Sequence, residues 1–186
     1  VPLKKIDSDG PNAPFNINIY PTKEITISDS AAMAMIIFED TERLTFDGRI
    51  NRTGNTNAIT IETIMTNTAG IWLKNVMVGN GCNYVTIRNI DFVGIAPNTT
   101  CYNIAGSGAQ SLTAQGAHSN ISILYNNFKR SYYAVRMYGS SANPNRNVSV
   151  RFNTFGNNAT INDGHYYPMY LYYAENSIIS GNYFSV

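Results

Sequence analysis

Apolar and polar residues alternate along most of this chain in short runs. In Asn120–Phe128 (NISILYNNF), Ile121 and Ile123 fall on one side and Ser122 on the other. In Asn147–Phe155 (NVSVRFNTF), Val148 and Val150 oppose Ser149 in the same way. A period of two marks an extended strand, whose successive side chains point to opposite faces. No stretch of useful length carries the 3.6-residue stripe of a helix, so the predicted class is all-β.

The same pattern returns at intervals. Asn120–Phe128, Asn147–Phe155 and Asn176–Phe184 (NSIISGNYF) share Asn at the first and seventh places, Phe at the ninth, and an aliphatic at the fourth (Ile123, Val150, Ile179). Tyr84–Phe92 (YVTIRNIDF) keeps the aliphatics and the Phe but has Ile90 in place of the second Asn. A second strand type precedes these units at Gly70–Leu73, Ala134–Met137 and Pro168–Leu171, with Met35–Phe38 a looser copy. Short strands at such spacing also suit an antiparallel sandwich. A sandwich, however, has no reason to repeat one side chain at one point of every unit, whereas a solenoid stacks equivalent positions ~4.8 Å apart. Asn126, Asn153 and Asn182 are therefore predicted to form an internal ladder, with Phe128, Phe155 and Phe184 stacked beside it. Asn suits such a corner because it tolerates left-handed backbone and its amide can bond to the next copy.

The run Pro168–Phe184 (PMYLYYAENSIISGNYF) resembles the repeat of right-handed, pectate-lyase-like parallel β-helices, in which a G-I-x-L strand leads into an N-x-I-x-x-N-x-F strand. Leu44–Gly48, Ala58–Glu62, Gly70–Leu73 and Val85–Gly94 look like the β-helix segments of large secreted surface proteins of Bacteroidota. The resemblance implies a right-handed solenoid of roughly five to six coils over residues 15–186, preceded by a polar lead at 1–14. It also implies an extracellular or cell-surface address and export by the type IX system, with a sorting domain outside this chain. It does not select an activity, because this repeat serves lyases, hydrolases and non-catalytic adhesins alike. Nothing after Phe184 reads as a cap. The segment is thus expected to be part of a longer chain, with further coils, another domain or a partner subunit covering that end.

Composition narrows the partners. Charged residues are 13% of the chain and the net charge is +1, without the clustered basic excess that a nucleic-acid surface needs. No apolar run reaches the length of a membrane span, and Val1-Pro2 begins no signal peptide, so a mature or excised piece is expected. Asn is abundant, at 25 residues, and ten of the 13 tyrosines lie between Tyr125 and Tyr183. On the strand ending at Leu171, Met169 and Leu171 should face inward and Tyr170 and Tyr172 outward, with Trp72 and Arg136 at the place of Tyr170 in their own coils. Trp72, Arg136, Tyr138, Tyr170 and Tyr172 are therefore the candidate ligand-binding residues, a row of rings suited to stacking on sugars or gripping a protein. Packing beneath loops or an adjoining domain is the competing account.

Catalytic chemistry has fewer supports. If Phe46, Ile87, Ile123, Val150 and Ile179 are equivalent, then Asp47, Arg88, Leu124, Arg151 and Ser180 form the next outward column. The lyases and hydrolases that the resemblance brings in need a basic residue with acid-bound Ca²⁺, or a carboxylate pair. No two acids share an outward column in adjacent coils. Asp47, Arg88, Arg151, Asp163 and His165 are the residues to test, and Ca²⁺ is the one cofactor in view, on the lyase reading alone. His118 reads as a loop residue, and no metal site has credible spacing. Cys82 and Cys101 could close a loop worth about 3 kcal/mol or remain two free buried thiols. Five N-x-Ser/Thr sequons, at Asn51, Asn98, Asn120, Asn147 and Asn158, follow from the Asn-rich corners, and Asp29-Ser-Ala31 resembles a short Bacteroidota O-glycosylation signal. The leading expectation is a non-catalytic structural and adhesive module contacting polysaccharide or protein. A lyase or hydrolase scaffold acting on acidic glycans is the runner-up.

Overall fold

A computed structural model describes residues 2–4, 16–30, 33–76, 81–156 and 163–185. The sequon at Asn158, Ala31 of the Asp29-Ser-Ala triplet and most of the 1–14 lead lie outside these.

Alternating strands and tight corners wind the chain into three parallel sheets. The first sheet contains Pro2–Lys4, Ala34–Glu39, Ala69–Asn75, Tyr102–Gly108, Ser131–Tyr138 and His165–Tyr172. The second runs through Ile17–Ile19, Glu42–Asp47, Asn83–Arg88 and Ser119–Leu124, then through two rungs each split in two, Asn145–Arg146 with Ser149–Arg151 and Ala174–Glu175 with Ile178–Ser180. The third contains Ile25–Asp29, Ile59–Thr63, Ile90–Val93, Asn127–Lys129, Thr154–Phe155 and Tyr183–Phe184. Every recorded pairing is parallel, and the result is a β-solenoid of about four turns whose sheets extend one rung further at each end. Pro2–Lys4 is a strand that the polar lead did not foretell.

The predicted columns are in register. Phe46 pairs with Ile87, Ile87 with Ile123, Ile123 with Val150, and Val150 with Ile179. All but the last of these side chains are buried. Phe92, Phe128, Phe155 and Phe184 stack with ring centres 4.9–5.1 Å apart. Burying apolar columns on three inner faces gives each rung its hydrophobic stabilisation, and the last rung keeps its column members open, with Phe184 50% exposed.

The amide ladder closes the corner between the second and third sheets. Asn126 Nδ2 donates to Asn153 Oδ1 at 3.1 Å and Asn153 Nδ2 to Asn182 Oδ1 at 3.0 Å. Each side-chain oxygen also accepts the backbone N–H one rung back, from Ile90, Asn126 and Asn153 in turn. Ile90 thus marks the beginning of the ladder, where the backbone alone is the partner. The first-place Asn residues have a different duty. Asn120, Asn147 and Asn176 occupy left-handed backbone, as do Arg43 and Tyr84 at the same place in earlier rungs, and Asn147 Nδ2 bonds Asn120 Oδ1 at 3.0 Å.

Candidate functional site

The outward side of the first sheet carries the tyrosines. Register places Ile37, Trp72, Ala105, Arg136 and Tyr170 in one column. Tyr102, Tyr133 and Tyr167 form a second column with centroid spacings of 5.3 and 5.0 Å. Tyr132 stacks on Tyr166 at 4.6 Å, and Tyr138 on Tyr172 at 5.0 Å. Strand registry dictates this geometry: identical side chains on adjacent parallel rungs are held about one strand spacing apart.

Two of the five candidate binding residues are not on the open surface. Trp72 is 3% and Arg136 6% exposed. The loop after Gly108 folds back over them, so that Leu112 packs with Trp72, Tyr102 and Ala105. Ala105, between Trp72 and Arg136 in the column, is small enough to admit that loop. Trp72 Nε1 donates to Ser107 Oγ at 2.7 Å, and Arg136 Nη1 donates to the Leu112 carbonyl. Arg136 lies among rings, its guanidinium carbon 4.3 Å from the Tyr138 centroid and 5.5–5.9 Å from those of Tyr133, Tyr170 and Tyr102. The competing account of packing beneath a loop holds for this part of the face.

Apart from Tyr102, which is 3% exposed, the remaining rings are at least partly accessible, though not as flat plates. Stacking along the axis closes the face of each ring against its neighbour, so edges and hydroxyls meet solvent. Of the tyrosine-bearing rungs of this sheet, only His165–Tyr172 has no described rung stacked beyond it, and there Tyr166, Tyr167 and Tyr172 are exposed. The doublets Tyr132-Tyr133 and Tyr166-Tyr167 are the part of this surface that periodicity missed. Their signal was the same Tyr-Tyr pair at one place of two successive first-sheet strands, and Ser131 pairing with His165 sets them in register.

The catalytic candidates do not gather into one site, although Asp47 and Arg88 approach to 3.8 Å. The predicted column Asp47, Arg88, Leu124, Arg151 and Ser180 is in register, but its charges are committed locally. Asp47 is buried and takes Arg49 Nε at 2.9 Å, Arg49 Nη2 at 2.6 Å and the Arg49 backbone N–H at 3.1 Å, with Arg88 more distant at 3.8 Å. Burial alone would raise the Asp47 carboxyl; the Arg49 hydrogen bonds outweigh it and hold the group below its ordinary value. Arg151 Nε donates to Ser180 Oγ at 3.1 Å. His165 joins rungs rather than facing Asp163. Its Nε2 lies 2.9 Å from the Phe128 carbonyl, which can only accept, leaving Nδ1 to accept from Ser131 Oγ at 2.8 Å. Burial depresses its pKa. Asp163 Oδ1 instead lies 4.0 Å from Arg130 Nε.

His118 is a core residue despite its loop-like sequence setting. It is buried, accepts the Cys82 backbone N–H at Nδ1 (3.1 Å), and burial pushes its pKa down to about 4. Cys82 and Cys101 are both free and buried in this structure. Cys82 donates its thiol to the Phe38 carbonyl, and burial pushes it up to about 12. Among the described residues no cluster of three His, Cys, Asp or Glu side chains gathers to hold a metal, and no helix is long and apolar enough to cross a membrane. Comparison with known proteins returned no matching family model, no matching curated protein and no matching solved structure.

Proposed function

We propose that this chain is a non-catalytic, extracellular structural and adhesive module that contacts polysaccharide or protein through the tyrosine columns of its first sheet. One observation carries the reading: Tyr132–Tyr166, Tyr133–Tyr167 and Tyr138–Tyr172 are stacked side by side on one face, around Arg136. Rings held by their neighbours lose little entropy on contact, and their hydroxyl edges donate and accept hydrogen bonds to sugar or peptide groups. The secreted setting, the Bacteroidota origin and type IX export rest on the repeat pattern alone, as does kinship with pectate-lyase-like β-helices.

Glycan-array and purified cell-surface polysaccharide binding, compared between the wild type and a Tyr166→Ala/Tyr172→Ala variant, tests the proposal. These exposed rings can be removed without opening the core, so the expected result is unchanged melting and at least tenfold weaker binding. Equal binding by the two proteins contradicts it. Release of an unsaturated, ultraviolet-absorbing product from a uronic-acid polysaccharide in the presence of Ca²⁺ would instead establish the lyase scaffold.

A further inference from the structure

The corner between the second and third sheets carries a groove of about 730 Å³, on a different side of the solenoid from the tyrosine columns. Its floor is polar. Asp91 Oδ1 accepts Asn57 Nδ2 at 2.6 Å and Asn127 Nδ2 at 2.7 Å, binding three successive rungs into one network. Arg88 Nε donates to Asn89 Oδ1 at 3.0 Å on one flank. Beside it stand Tyr125 and Phe152, stacked 5.1 Å apart and 45% and 43% exposed, with the Arg88 guanidinium 5.5 Å from the Tyr125 centroid and that of Arg151 4.9 Å from the Phe152 centroid.

The backbone beneath these two rings is left-handed, as it is beneath the exposed Tyr84 and Tyr173. Tyr125 (φ 56°) and Phe152 (φ 57°) hold left-handed conformations at the residue just before the ladder Asn. The neighbouring rungs fill that place with Asn89 and Gly181, the residue types that adopt such backbone most readily. A bulky aromatic there costs the fold energy, and both rings turn much of their surface to water. Their stacking on each other and their contacts with the Arg88 and Arg151 guanidiniums offset part of that cost, and backbone strain of this kind concentrates where ligands are held.

We infer that this groove binds a neutral oligosaccharide lying along the solenoid axis. Amides and a carboxylate already oriented by one another supply alternating donors and acceptors, the complement of sugar hydroxyls that both give and take a proton. The paired ring edges supply an apolar wall for the C–H surface of a pyranose. The one arginine and one aspartate of the lining balance in charge, and Arg88 already leans toward Asp47, so an anionic sugar has no excess positive charge to select it. An extended peptide is disfavoured because the strands Asn83–Arg88, Ile90–Val93, Ser119–Leu124 and Asn127–Lys129 are paired on both sides and offer no free main-chain edge.

The test is calorimetric titration of the 186-residue chain with β-1,4-linked glucose, xylose and mannose hexasaccharides, a galacturonate hexasaccharide and an unstructured peptide. The variant is Tyr125→Asn/Phe152→Gly, which installs the residues that neighbouring rungs already use. Saturable binding of a neutral hexasaccharide is expected, weakened about tenfold or more in the variant while its melting temperature stays level or rises. Asp91→Ala should weaken binding likewise, and Tyr166→Ala/Tyr172→Ala should leave it unchanged, which separates this groove from the tyrosine face. Binding of none of the neutral sugars, binding of only the galacturonate or the peptide, or equal affinity in the groove variants would overturn the inference.

Discussion

Asn153 shows how one residue serves a whole coil. Its buried amide accepts from the Asn126 backbone and side chain and donates to the Ile123 carbonyl and to Asn182. Asn153→Ala would strand several of these groups away from water, each costing about 1–3 kcal/mol. Chemical denaturation should report a loss of about 3 kcal/mol or more, against under 1 kcal/mol for the exposed Ser180→Ala. His118 makes a residue-scale prediction in pH. Its folded pKa of about 4 lies below its ordinary 6.5, so the unfolded chain takes up the proton first. Stability from this group is complete above pH 6.5 and is lost as pH falls toward 4, on the order of 2 kcal/mol by pH 5. His165, depressed in the same direction, adds to the slope. Melting temperature should therefore drop between pH 7 and 5, and His118→Asn should flatten that drop while lowering the plateau.

At the level of strands and corners, the chain was readable wherever a pattern repeats. The inward aliphatics, the Asn ladder, the Phe stack and the outward Asp47–Ser180 column all follow from period two combined with a recurring unit. Corners with no equivalent in other coils were not readable. The loop after Gly108 that buries Trp72 and Arg136 has no counterpart in the other coils, and the insertion carrying Asn57 to the edge of the groove is likewise unique. Gly48, where that insertion begins, lies so near the next rung that a Cβ would fall 1.8 Å from the Asn89 carbonyl oxygen. Gly48→Ala must push two rungs apart, and a loss of about 2 kcal/mol or more is expected by thermal melting, together with weaker ligand binding in the adjacent groove.

Across the whole molecule, register turns a linear repeat into surfaces. Rungs spaced by one strand width turn single aromatic positions into the continuous columns of the first sheet and the paired rings of the corner groove. Side chains 27 to 36 residues apart in sequence become neighbours. Periodicity foretells which residues align, but not which aligned residues a loop will cover, because that depends on long-range packing of non-repeating segments. Each proposed binding surface therefore depends on the same vertical alignment. Cysteine cross-linking tests it directly. Ser122 and Ser149 are register partners on the outer side of the second sheet, within the separation a disulfide can span. Ser122→Cys/Ser149→Cys should oxidise in air to an intramolecular disulfide while Cys82 and Cys101 stay reduced. Ser122→Cys/Arg151→Cys, two residues out of register, should not. Equal cross-linking of both pairs, or of the second alone, would contradict the stacked solenoid.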